Sequence, residues 1–464
     1  MSIINPIADR RSFLLTAAGA AAYARPARGR SRAPNIVLIA GDDLGYGDVG
    51  CYGSSIGTPN LDQMAQDGVR FTQFNSASPV CSPARAAILT GRYPNRYGIP
   101  RVLDTTDTYG LPDTETTIAQ MLKGAGYRTM CVGKWHLGSL PQYLPTNRGF
   151  DEFYGIPYSI DQGTRPLMHN LDIIEQPANL DNLTQRYTQT AVDFVGRAKD
   201  SPFFLYMPHS FPHIPLAASS AFKGRSWQGL YGDAVQEIDW SVGQVLASLQ
   251  TAGLDSQTLV MFTSDHGPWY QGSPGGLRGR KGETFEGGVR VPFIARYPGF
   301  IPGGQVCRGF AASLDILPTV AAVTGAPLPR NPLDGLDLSP LLTGQQSDLT
   351  REAFLYFNDV YLQAARQGSW KLHASRFNMH AFTQPPACGR LNLPICPELY
   401  DVVADADESH DRADRNPAVV ADLKGRMAQQ IQTFPSDIVA AWQATMGLQV
   451  SGTPAGCFPV PPQS

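Results

Sequence analysis

Short apolar runs of strand length alternate with amphipathic stretches over the first two-thirds of the chain. Four of the runs are continuously apolar, which is typical of strands that are covered on both faces. They span residues 35–40, 128–132, 202–207 and 258–263. Because strands that alternate with helices form parallel sheets, the pattern predicts an α/β fold with a mostly parallel sheet between helices.

The stretches between these runs have helical spacing. Residues 117–125 place Ile118, Met121 and Leu122 on one face and end before Gly126, a plausible C-terminal cap. Residues 234–252 carry a longer apolar stripe of the same period. Both segments therefore predict helices that pack on the sheet.

A second region follows a Pro/Gly-rich passage at residues 325–344. Beyond it, short strand-like runs at 353–357 and 369–373 precede a helical stretch at 418–433. A chain of 464 residues exceeds the usual size of one hydrophobic core. We therefore predict a catalytic domain over 34–345 and a smaller C-terminal α+β domain over 350–464, with an antiparallel sheet and a helix.

The first residues resemble an export signal. Arg10 and Arg11 precede an apolar, alanine-rich run, and Ala22-Tyr23-Ala24 offers a cleavage site. A membrane anchor or a disordered leader is the alternative, but the run is too short to span a bilayer comfortably. The pattern predicts a twin-arginine signal peptide over 1–24, export to a bacterial periplasm or outside the cell, and no stable membrane anchor.

Composition restricts the other classes of function. A net charge of −3 gives no basic surface for nucleic acid, and 42% hydrophobic residues suit a globular fold. Seven cysteines are present, and an exported protein can pair some of them. Cys388 and Cys396, which bracket a short loop, are the pair that the sequence suggests.

Polar, reactive residues follow each of the four apolar runs. Ligands bind at the carboxyl ends of parallel strands, which share one edge of the sheet, so these residues are expected to meet there. They are Asp42 and Asp43 after the first run, Lys134 and His136 after the second, His209 and His213 after the third, and Asp265 and His266 after the fourth.

Each of these residues alone has a structural explanation. Asp42 and Asp43 could cap a helix, Lys134 or His136 could lie on a surface loop, and His213 could be a hydrogen-bonded core residue. Together they predict a function. Three carboxylates make a hard oxygen site suited to Ca²⁺ or Mg²⁺, and nearby lysines and histidines would hold a tetrahedral oxyanion and exchange protons with its leaving group.

The segment Cys81-Ser82-Pro83-Ala84-Arg85 adds a candidate nucleophile. Pro83 suits the first turn of a helix, so the Cys81 side chain is expected near a helix N-terminus, which favours negative charge. A redox cysteine with a low pKa and a plain buried thiol are the alternatives. Neither explains why Arg85 and the carboxylates accompany it.

With these motifs the chain resembles the type I sulfatases of the alkaline-phosphatase superfamily. Cys-x-Pro-Ala-Arg followed by Leu-Thr-Gly-Arg at 89–92 is that family's signature for oxidising the cysteine to formylglycine. The resemblance covers nearly the whole chain after the leader, including 42–48, 133–138, 281–288 and 399–401. It is greatest to arylsulfatase A-like and N-acetylgalactosamine-6-sulfatase-like members.

The resemblance implies a role for each matching residue. Arg85 and Lys134 would hold the formylglycine, and His136 would act as base on its hydroxyl group. His213 and Lys281 would contact the sulfate and assist the leaving oxygen, with Ser159 beside the substrate. Calcium would be bound by Asp42, Asp43, Asp265, His266 and an oxygen of the modified residue 81.

Two positions depart from the family pattern. His266 stands where most members have asparagine, which leaves the preferred ion, Ca²⁺ or Mg²⁺, less certain. Arg280 stands beside Lys281 where some members have a cysteine, so a disulfide known in those relatives is absent.

The resemblance implies hydrolysis of sulfate monoesters of aryl or carbohydrate alcohols. Hydrated formylglycine would attack sulfur with one hydroxyl and release sulfate through the other. A formylglycine-generating enzyme and the twin-arginine translocase would be partners during maturation. A phosphonate or phosphate-ester hydrolase and a non-catalytic exported binding protein with unmodified Cys81 are the alternatives, and the loops 162–175 and 269–276 would set selectivity.

Overall fold

The computed structural model describes residues 33–379 and 390–448. From Ala33 onward these residues belong to one compact unit. The predicted signal peptide at 1–24 lies outside the described residues. Cys388 does too; Cys396 is disulfide-bonded, and its pairing with Cys388 stays a prediction. Across the two described ranges, no helix is both long enough and apolar enough to cross a bilayer.

Sixteen strands occur within the described residues. In chain order they are β1 Asn35–Gly41, β2 Val69–Phe71, β3 Phe74–Asn75, β4 Arg128–Lys134, β5 Glu152–Ile156, β6 Leu167–His169, β7 Asp172–Glu175, β8 Phe203–Pro208, β9 Thr258–Ser264, β10 Phe293–Arg296, β11 Gln305–Cys307, β12 Ala311–Ala312, β13 Phe354–Asn358, β14 Tyr361–Gln367, β15 Trp370–Phe377 and β16 Asn392–Asp401.

Ten α-helices accompany the strands in the same part of the chain. They are α1 Pro59–Gln66, α2 Cys81–Thr90, α3 Ile118–Gly124, α4 Leu183–Ala198, α5 Gly229–Thr251, α6 Glu286–Val289, α7 Ile316–Thr324, α8 Ser339–Leu342, α9 Pro417–Gln430 and α10 Ser436–Gly447.

The large sheet has ten strands in the order β11-β2-β10-β9-β1-β8-β4-β5-β6-β7. Its centre, β9-β1-β8-β4-β5, is parallel. Antiparallel pairings occur toward both edges, at β10 with β9 and β2 and at β6 with β5 and β7. The predicted α/β class with a mostly parallel sheet is thus confirmed.

Strand β1 shows why helices cover both faces of this sheet. Ile36 and Leu38 belong to the core that includes residues of α2, α3 and α7, whereas Val37 and Ile39 belong to the core with α1, α4 and α5. All four side chains are buried because successive strand residues point to opposite faces. A continuous apolar run is what this arrangement requires.

The predicted helices form close to their expected limits. The segment at 117–125 is α3, and the Thr117 hydroxyl accepts a 3.1 Å hydrogen bond from the backbone N–H of Gln120 as an N-terminal cap. The segment at 234–252 is the later part of α5, which begins earlier, at Gly229. The segment at 418–433 becomes α9 and a following turn of 3₁₀ helix over Ile431–Thr433.

The smaller sheet is an antiparallel meander of β13, β14, β15 and β16. Helices α9 and α10 cover it, and Leu372 and Leu399 share a core with Met427 and Trp442. The predicted combination of an antiparallel sheet and a helix is confirmed, with α10 as a second helix. The domain limits at 345 and 350 stay a prediction.

A buried ionic cluster joins the small sheet to helix α6. Lys371 of β15 places its Nζ 2.9 Å from Glu286 Oε1 and 3.3 Å from Glu408 Oε1. Glu286 also pairs with Arg290, whose Nε lies 2.6 Å from Oε2. Charges this deeply buried are costly unless they are paired, so the cluster fixes how the small sheet sits beside the segment that follows Lys281.

Candidate active site

The register of the parallel strands brings the first two site segments together. Ala40 of β1 pairs with Thr263 of β9 and Pro208 of β8, so residues after these positions leave the sheet at one rim. The backbone N–H of Asp265 donates to the Gly41 carbonyl at 3.2 Å, and that of Asp43 donates to Asp265 Oδ1 at 3.2 Å. Asp42, Asp43 and Asp265 therefore form one buried acidic group.

Cys81 is the first residue of α2. The preceding Val80 is extended, and the N–H of Ala84 donates to the Val80 carbonyl at 3.1 Å. Every residue of the helix is buried, and Cys81 is 2% exposed. The helix N-terminus places partial positive charge beside the cysteine, as the Pro83 pattern predicted.

The acidic group and Cys81 form a cluster with metal-ligand geometry. One side-chain atom each from Asp42, Cys81, Asp265 and His266 lie within 4.8 Å of one another. Asp43 and His213 form a second such set with Cys81. The sulfur atom of Cys81 marks where the oxygens of a modified residue 81 would be.

Arg85 ties this cluster together from one helical turn beyond Cys81. Its Nε and Nη2 donate to Asp265 Oδ2 at 3.2 and 3.0 Å, and its Nη1 donates to the Lys134 carbonyl at 2.9 Å. Nη2 also lies 3.2 Å from Asp42 Oδ1. The guanidinium is completely buried, and its fork geometry allows all of these contacts at once.

Lys134 reaches the same acidic group from the end of β4. Its Nζ donates to Asp42 Oδ2 at 2.6 Å and to Ser159 Oγ at 3.0 Å. Gly133, with φ of 136°, precedes it, and a Cβ there would lie 1.8 Å from the Pro208 carbonyl oxygen. Only glycine permits this close approach of β4 to Pro208, the last residue of β8.

Lys281 lies on the loop between β9 and α6. Its Nζ donates to both carboxylate oxygens of Asp43, at 2.8 and 2.9 Å. Its backbone N–H donates to the Pro268 carbonyl at 3.0 Å, and the next N–H, of Gly282, donates to the Pro79 carbonyl at 2.8 Å. The loop is thus anchored just before the helix that begins at Cys81.

His136 has the geometry of a neutral base. Its Nε2 lies 2.9 Å from the Leu103 carbonyl, which can only accept, so the proton is on Nε2 and Nδ1 is the free acceptor. Nδ1 is buried without a hydrogen-bond partner. Burial, together with Lys134 and Arg85, lowers the pKa of His136 well below its usual value.

The other two histidines flank Asp43 and Cys81. His213 Nε2 lies 3.8 Å from Asp43 Oδ2, and its Nδ1 is 2.5 Å from the Ile214 carbonyl. His266 Nε2 lies 3.3 Å from Cys81 Sγ, and its Nδ1 is 2.9 Å from the Gly267 carbonyl. In both rings the backbone carbonyl orients the Nε2 atom toward the cluster.

The balance of charge shapes the ionisation of the cluster. Burial would raise the pKa of Asp42 and Asp43, but Lys134, Lys281 and the other cations lower it. Burial dominates at Asp265 and raises its pKa to about 6. At Cys81 burial is outweighed by Lys134, Lys281 and His266, which lower the thiol pKa to about 6.

The structure therefore brings together the residues that the family resemblance assigned to this site. They are Asp42, Asp43, Cys81, Arg85, Lys134, His136, Ser159, His213, Asp265, His266 and Lys281. His209, which also follows a predicted strand, belongs to neither metal-type set, and its buried ring nitrogens lack hydrogen-bond partners.

Several supporting residues carry no local signal in the sequence. The Leu103 carbonyl, which lies 2.9 Å from His136 Nε2, also accepts a 3.1 Å hydrogen bond from Gln162 Nε2. Gln162 Oε1 in turn accepts a 3.2 Å hydrogen bond from the backbone N–H of Ser159. Arg280, which replaces the family cysteine, donates through Nη1 to the carbonyls of Trp269 and Gly272 at 3.0 and 2.7 Å. Gln162 and Leu103 are 59 residues apart, whereas Arg280 closes the loop to which Trp269 and Gly272 also belong. Neither motif nor period predicts these contacts.

Comparison with known proteins gives the same assignment. The sulfatase family model matches residues 34–326. Human arylsulfatase A is 40% identical over 97% of each chain. The family is thereby shown. This chain is a member of the sulfatase family.

Two further sulfatases are similar to this chain over most of their length. The N-acetylgalactosamine-6-sulfatase of dog (Canis lupus familiaris) is 41% identical over 78% of this chain and 75% of its own. The crystal structure of the PsFucS1 sulfatase from Pseudoalteromonas sp. has a TM-score of 0.77 at 29% identity, covering 87% and 90% of the two chains. This sulfatase is an enzyme that hydrolyses sulfate esters, and its buried Asp, Cys and His cluster is consistent with the active site of its family.

Proposed function

We propose that this sulfatase hydrolyses sulfate monoesters of aryl or carbohydrate alcohols, using formylglycine made from Cys81 and a bound calcium ion. One observation carries the proposal. Cys81 begins a buried helix and lies within 4.8 Å of ligand atoms of Asp42, Asp265 and His266, so nucleophile and metal ligands share one site. A structural cysteine has no need of such neighbours.

The ligand set fits a hard divalent cation. Carboxylate oxygens are the ligands that calcium prefers, and Asp42, Asp43 and Asp265 supply them. Asp42 Oδ1 is buried and makes no hydrogen bond; beside its ion pair with Arg85 Nη2 at 3.2 Å, it has lone pairs left for a bound cation. His266 adds a nitrogen. The ion, when bound, would withdraw charge from the sulfate oxygens.

Residue 81, two cationic side chains and one histidine would have separate roles in the reaction. As formylglycine, residue 81 would supply the hydroxyl nucleophile for attack on sulfur. Arg85 and Lys134 would hold this residue: both contact Asp42 of the same cluster, and the charge of Lys134 acts on the Cys81 side chain. His136, neutral and with a free buried Nδ1, is suited to take the hydroxyl proton that must leave before sulfate is released.

His213 and Lys281 form the opposite side of the site. Both line its cavity, and both place a nitrogen next to Asp43: Nε2 of His213 lies 3.8 Å from Oδ2, and Nζ of Lys281 lies 2.8 Å from Oδ1. From there they would contact the sulfate oxygens and give a proton to the bridging oxygen as the alcohol departs. Ser159, hydrogen-bonded to Lys134, would lie beside the substrate.

Turnover of matched esters tests this proposal. Sulfate and phosphate are both tetrahedral oxyanions, so a phosphate or phosphonate hydrolase is the rival on this scaffold. The wild-type protein should cleave 4-nitrophenyl sulfate with a higher kcat/KM than either 4-nitrophenyl phosphate or 4-nitrophenyl phenylphosphonate. The Cys81→Ala variant should cleave none of the three esters measurably. Faster cleavage of a phosphorus ester by the wild-type protein would contradict the proposal.

The leader supports a further step in maturation. We propose that Arg10 and Arg11 direct twin-arginine export to the periplasm or outside the cell, after modification of Cys81 in the cytoplasm. The Arg10→Lys/Arg11→Lys double variant should keep active, modified protein in the cytoplasm of the bacterial host. Export of this variant at the wild-type level would contradict the proposal.

A further inference from the structure

The opening of the active-site cavity has a buried floor and an exposed rim. Asp43, His213 and Lys281 are buried at its floor, whereas Asp161 is exposed and Ile214 and Trp269 are partly exposed. The cavity measures about 100 Å³. Sites that enclose a whole small molecule usually measure roughly 300–1,000 Å³. A cavity of this size has room for a sulfate group but not for a whole ester, so the alcohol part of a substrate would lie at the rim.

One side of the rim is aromatic. Trp269 and Tyr270 pack edge to face with ring centroids 4.7 Å apart, and Tyr270 is 59% exposed. Arg280 holds this pair, because its Nη1 donates to the Trp269 carbonyl and its guanidinium lies 5.7 Å from the centre of the Tyr270 ring. An aromatic surface beside the sulfate position favours contact with the face of a planar or sugar ring.

The charge of the rim is negative. Of the three rim residues Asp161, Ile214 and Trp269, only Asp161 is ionisable. The ammonium group of Lys281, on the floor, is directed to Asp43 rather than to the rim. A second anionic group on the alcohol part would thus meet the Asp161 carboxylate, because the ammonium group of Lys281 is paired with Asp43 and the guanidinium of Arg280 donates to the carbonyls of Trp269 and Gly272. Repulsion of this kind is modest at an exposed site and weakens with added salt.

We propose that this rim selects a sulfated ring that carries no second negative charge, with Trp269 as the surface that receives the ring and Asp161 as the group that excludes anions. The preferred substrates are then aryl sulfates or monosulfated neutral sugars, not polyanionic saccharides. The proposal rests on the sulfatase function proposed above and specifies its substrate class.

Two esters that differ in one charge test the role of Asp161. The substrates are 4-carboxyphenyl sulfate and its uncharged methyl ester, and the quantity measured is the ratio of their kcat/KM values. Differences in leaving group cancel when variants are compared with the wild type. The Asp161→Asn variant should lower the preference for the neutral ester about three- to tenfold at low salt, and less at high salt. An unchanged preference at both salt concentrations would overturn the proposal.

Asp200 provides a matched control for this substitution. It is also exposed, but it precedes β8 and so lies toward the amino ends of the parallel strands, away from the site. The Asp200→Asn variant should keep the wild-type preference. An equal loss of preference in both variants would mean that net charge, not the rim, discriminates, and would also overturn the proposal.

Trp269 is tested through KM. Trp269→Ala should raise KM for the neutral aryl ester about tenfold, and Trp269→Phe should restore most of the loss, because one aromatic face remains. Galactose 6-sulfate and galactose 4,6-disulfate extend the charge test to sugars, and the wild-type protein should prefer the monosulfate. If Trp269→Ala leaves KM unchanged for both aryl and sugar monosulfates, the ring-binding role is overturned. Failure of the wild-type protein to cleave any sulfate ester would instead refute the proposed function itself.

Discussion

Asn358 donates a 2.7 Å hydrogen bond from Nδ2 to the carbonyl oxygen of Gly282, the residue next to Lys281. Asn358 ends β13 of the small sheet, and it is buried. The backbone N–H of Gly282 donates to the carbonyl oxygen of Pro79, which lies two residues before Cys81. The small sheet therefore holds the loop that presents Lys281 to the active site.

Replacing this donor should impair catalysis without unfolding the protein. Asn358→Asp keeps the shape of the side chain but cannot donate to Gly282, and a buried carbonyl loses its partner. We expect kcat/KM for 4-nitrophenyl sulfate to fall about tenfold, with most of the loss in kcat if Lys281 acts on the leaving oxygen.

A surface asparagine serves as the control for this variant. Asn331 Nδ2 also donates a 2.8 Å hydrogen bond to a carbonyl oxygen, that of Thr114, but at an exposed position. Asn331→Asp should leave kcat/KM within twofold of the wild type. Equal effects of the two substitutions would contradict a specific link between Asn358 and the Lys281 loop.

Arg85 should not tolerate exchange for lysine. The lysine would keep one positive charge but could not bond Asp265 and the Lys134 carbonyl at the same time. We expect kcat of Arg85→Lys to fall about a hundredfold or more, with a loss of about 3 kcal/mol in the free energy of unfolding. Arg128→Lys, at a surface pair 3.7 Å from Glu152, should change the unfolding free energy by less than about 0.5 kcal/mol. Similar losses in both variants would contradict this account.

Changing His266 to asparagine should strengthen calcium binding. The amide would offer an oxygen in place of Nε2, and calcium prefers oxygen ligands. Chelation should abolish activity of both proteins, and calcium should restore it at a several-fold lower concentration in His266→Asn than in the wild type. Thermal unfolding gives a second readout. A free calcium concentration of about one hundred times the Kd adds about 2.7 kcal/mol to the free energy of unfolding. Weaker calcium binding by the variant would contradict the ligand role of residue 266.

His209 should make stability depend on pH. Burial lowers the pKa of His209 to about 3, below the value of about 6.5 expected in the unfolded chain. Between these two pKa values the unfolded state binds more protons than the folded state. The contribution of neutral His209 to stability is therefore complete above about pH 6.5 and is lost as pH falls toward 3. Denaturant unfolding of His209→Gln should show a shallower pH slope, by up to about 1.4 kcal/mol per pH unit. An unchanged slope would contradict the burial of a neutral His209.

The parallel core of the fold could be predicted because burial on both faces leaves continuous apolar runs. The predicted run at 258–263 became β9, which extends one residue further to Ser264. The short strands near one edge of the sheet could not be predicted in this way. Strands β2 and β11 have three residues each, and their conformation is set by the pairing of β2 with β10 and of β11 with β2. Helix α10 was missed too, beyond the predicted end of the preceding helix.

The site residues were predictable where they followed strands or a motif. Asp42 and Asp265 come directly after β1 and β9, so the topology alone puts them on one rim. Asn358 and the Leu103 carbonyl belong to other parts of the chain, and their roles arise from tertiary contacts that leave no pattern in sequence. Asp161 lies one residue before the loop that was expected to set selectivity.

The chemical state of residue 81 tests the central claim most directly. Protein purified from its native host should be digested, and the peptide that spans Cys81 to Arg85 analysed by mass spectrometry. We predict a peptide in which the CH₂–SH group of cysteine has become CHO, so that sulfur and two hydrogens are replaced by oxygen. The aldehyde of this peptide should react with a hydrazide. An unmodified cysteine in protein that nevertheless hydrolyses 4-nitrophenyl sulfate would contradict this prediction.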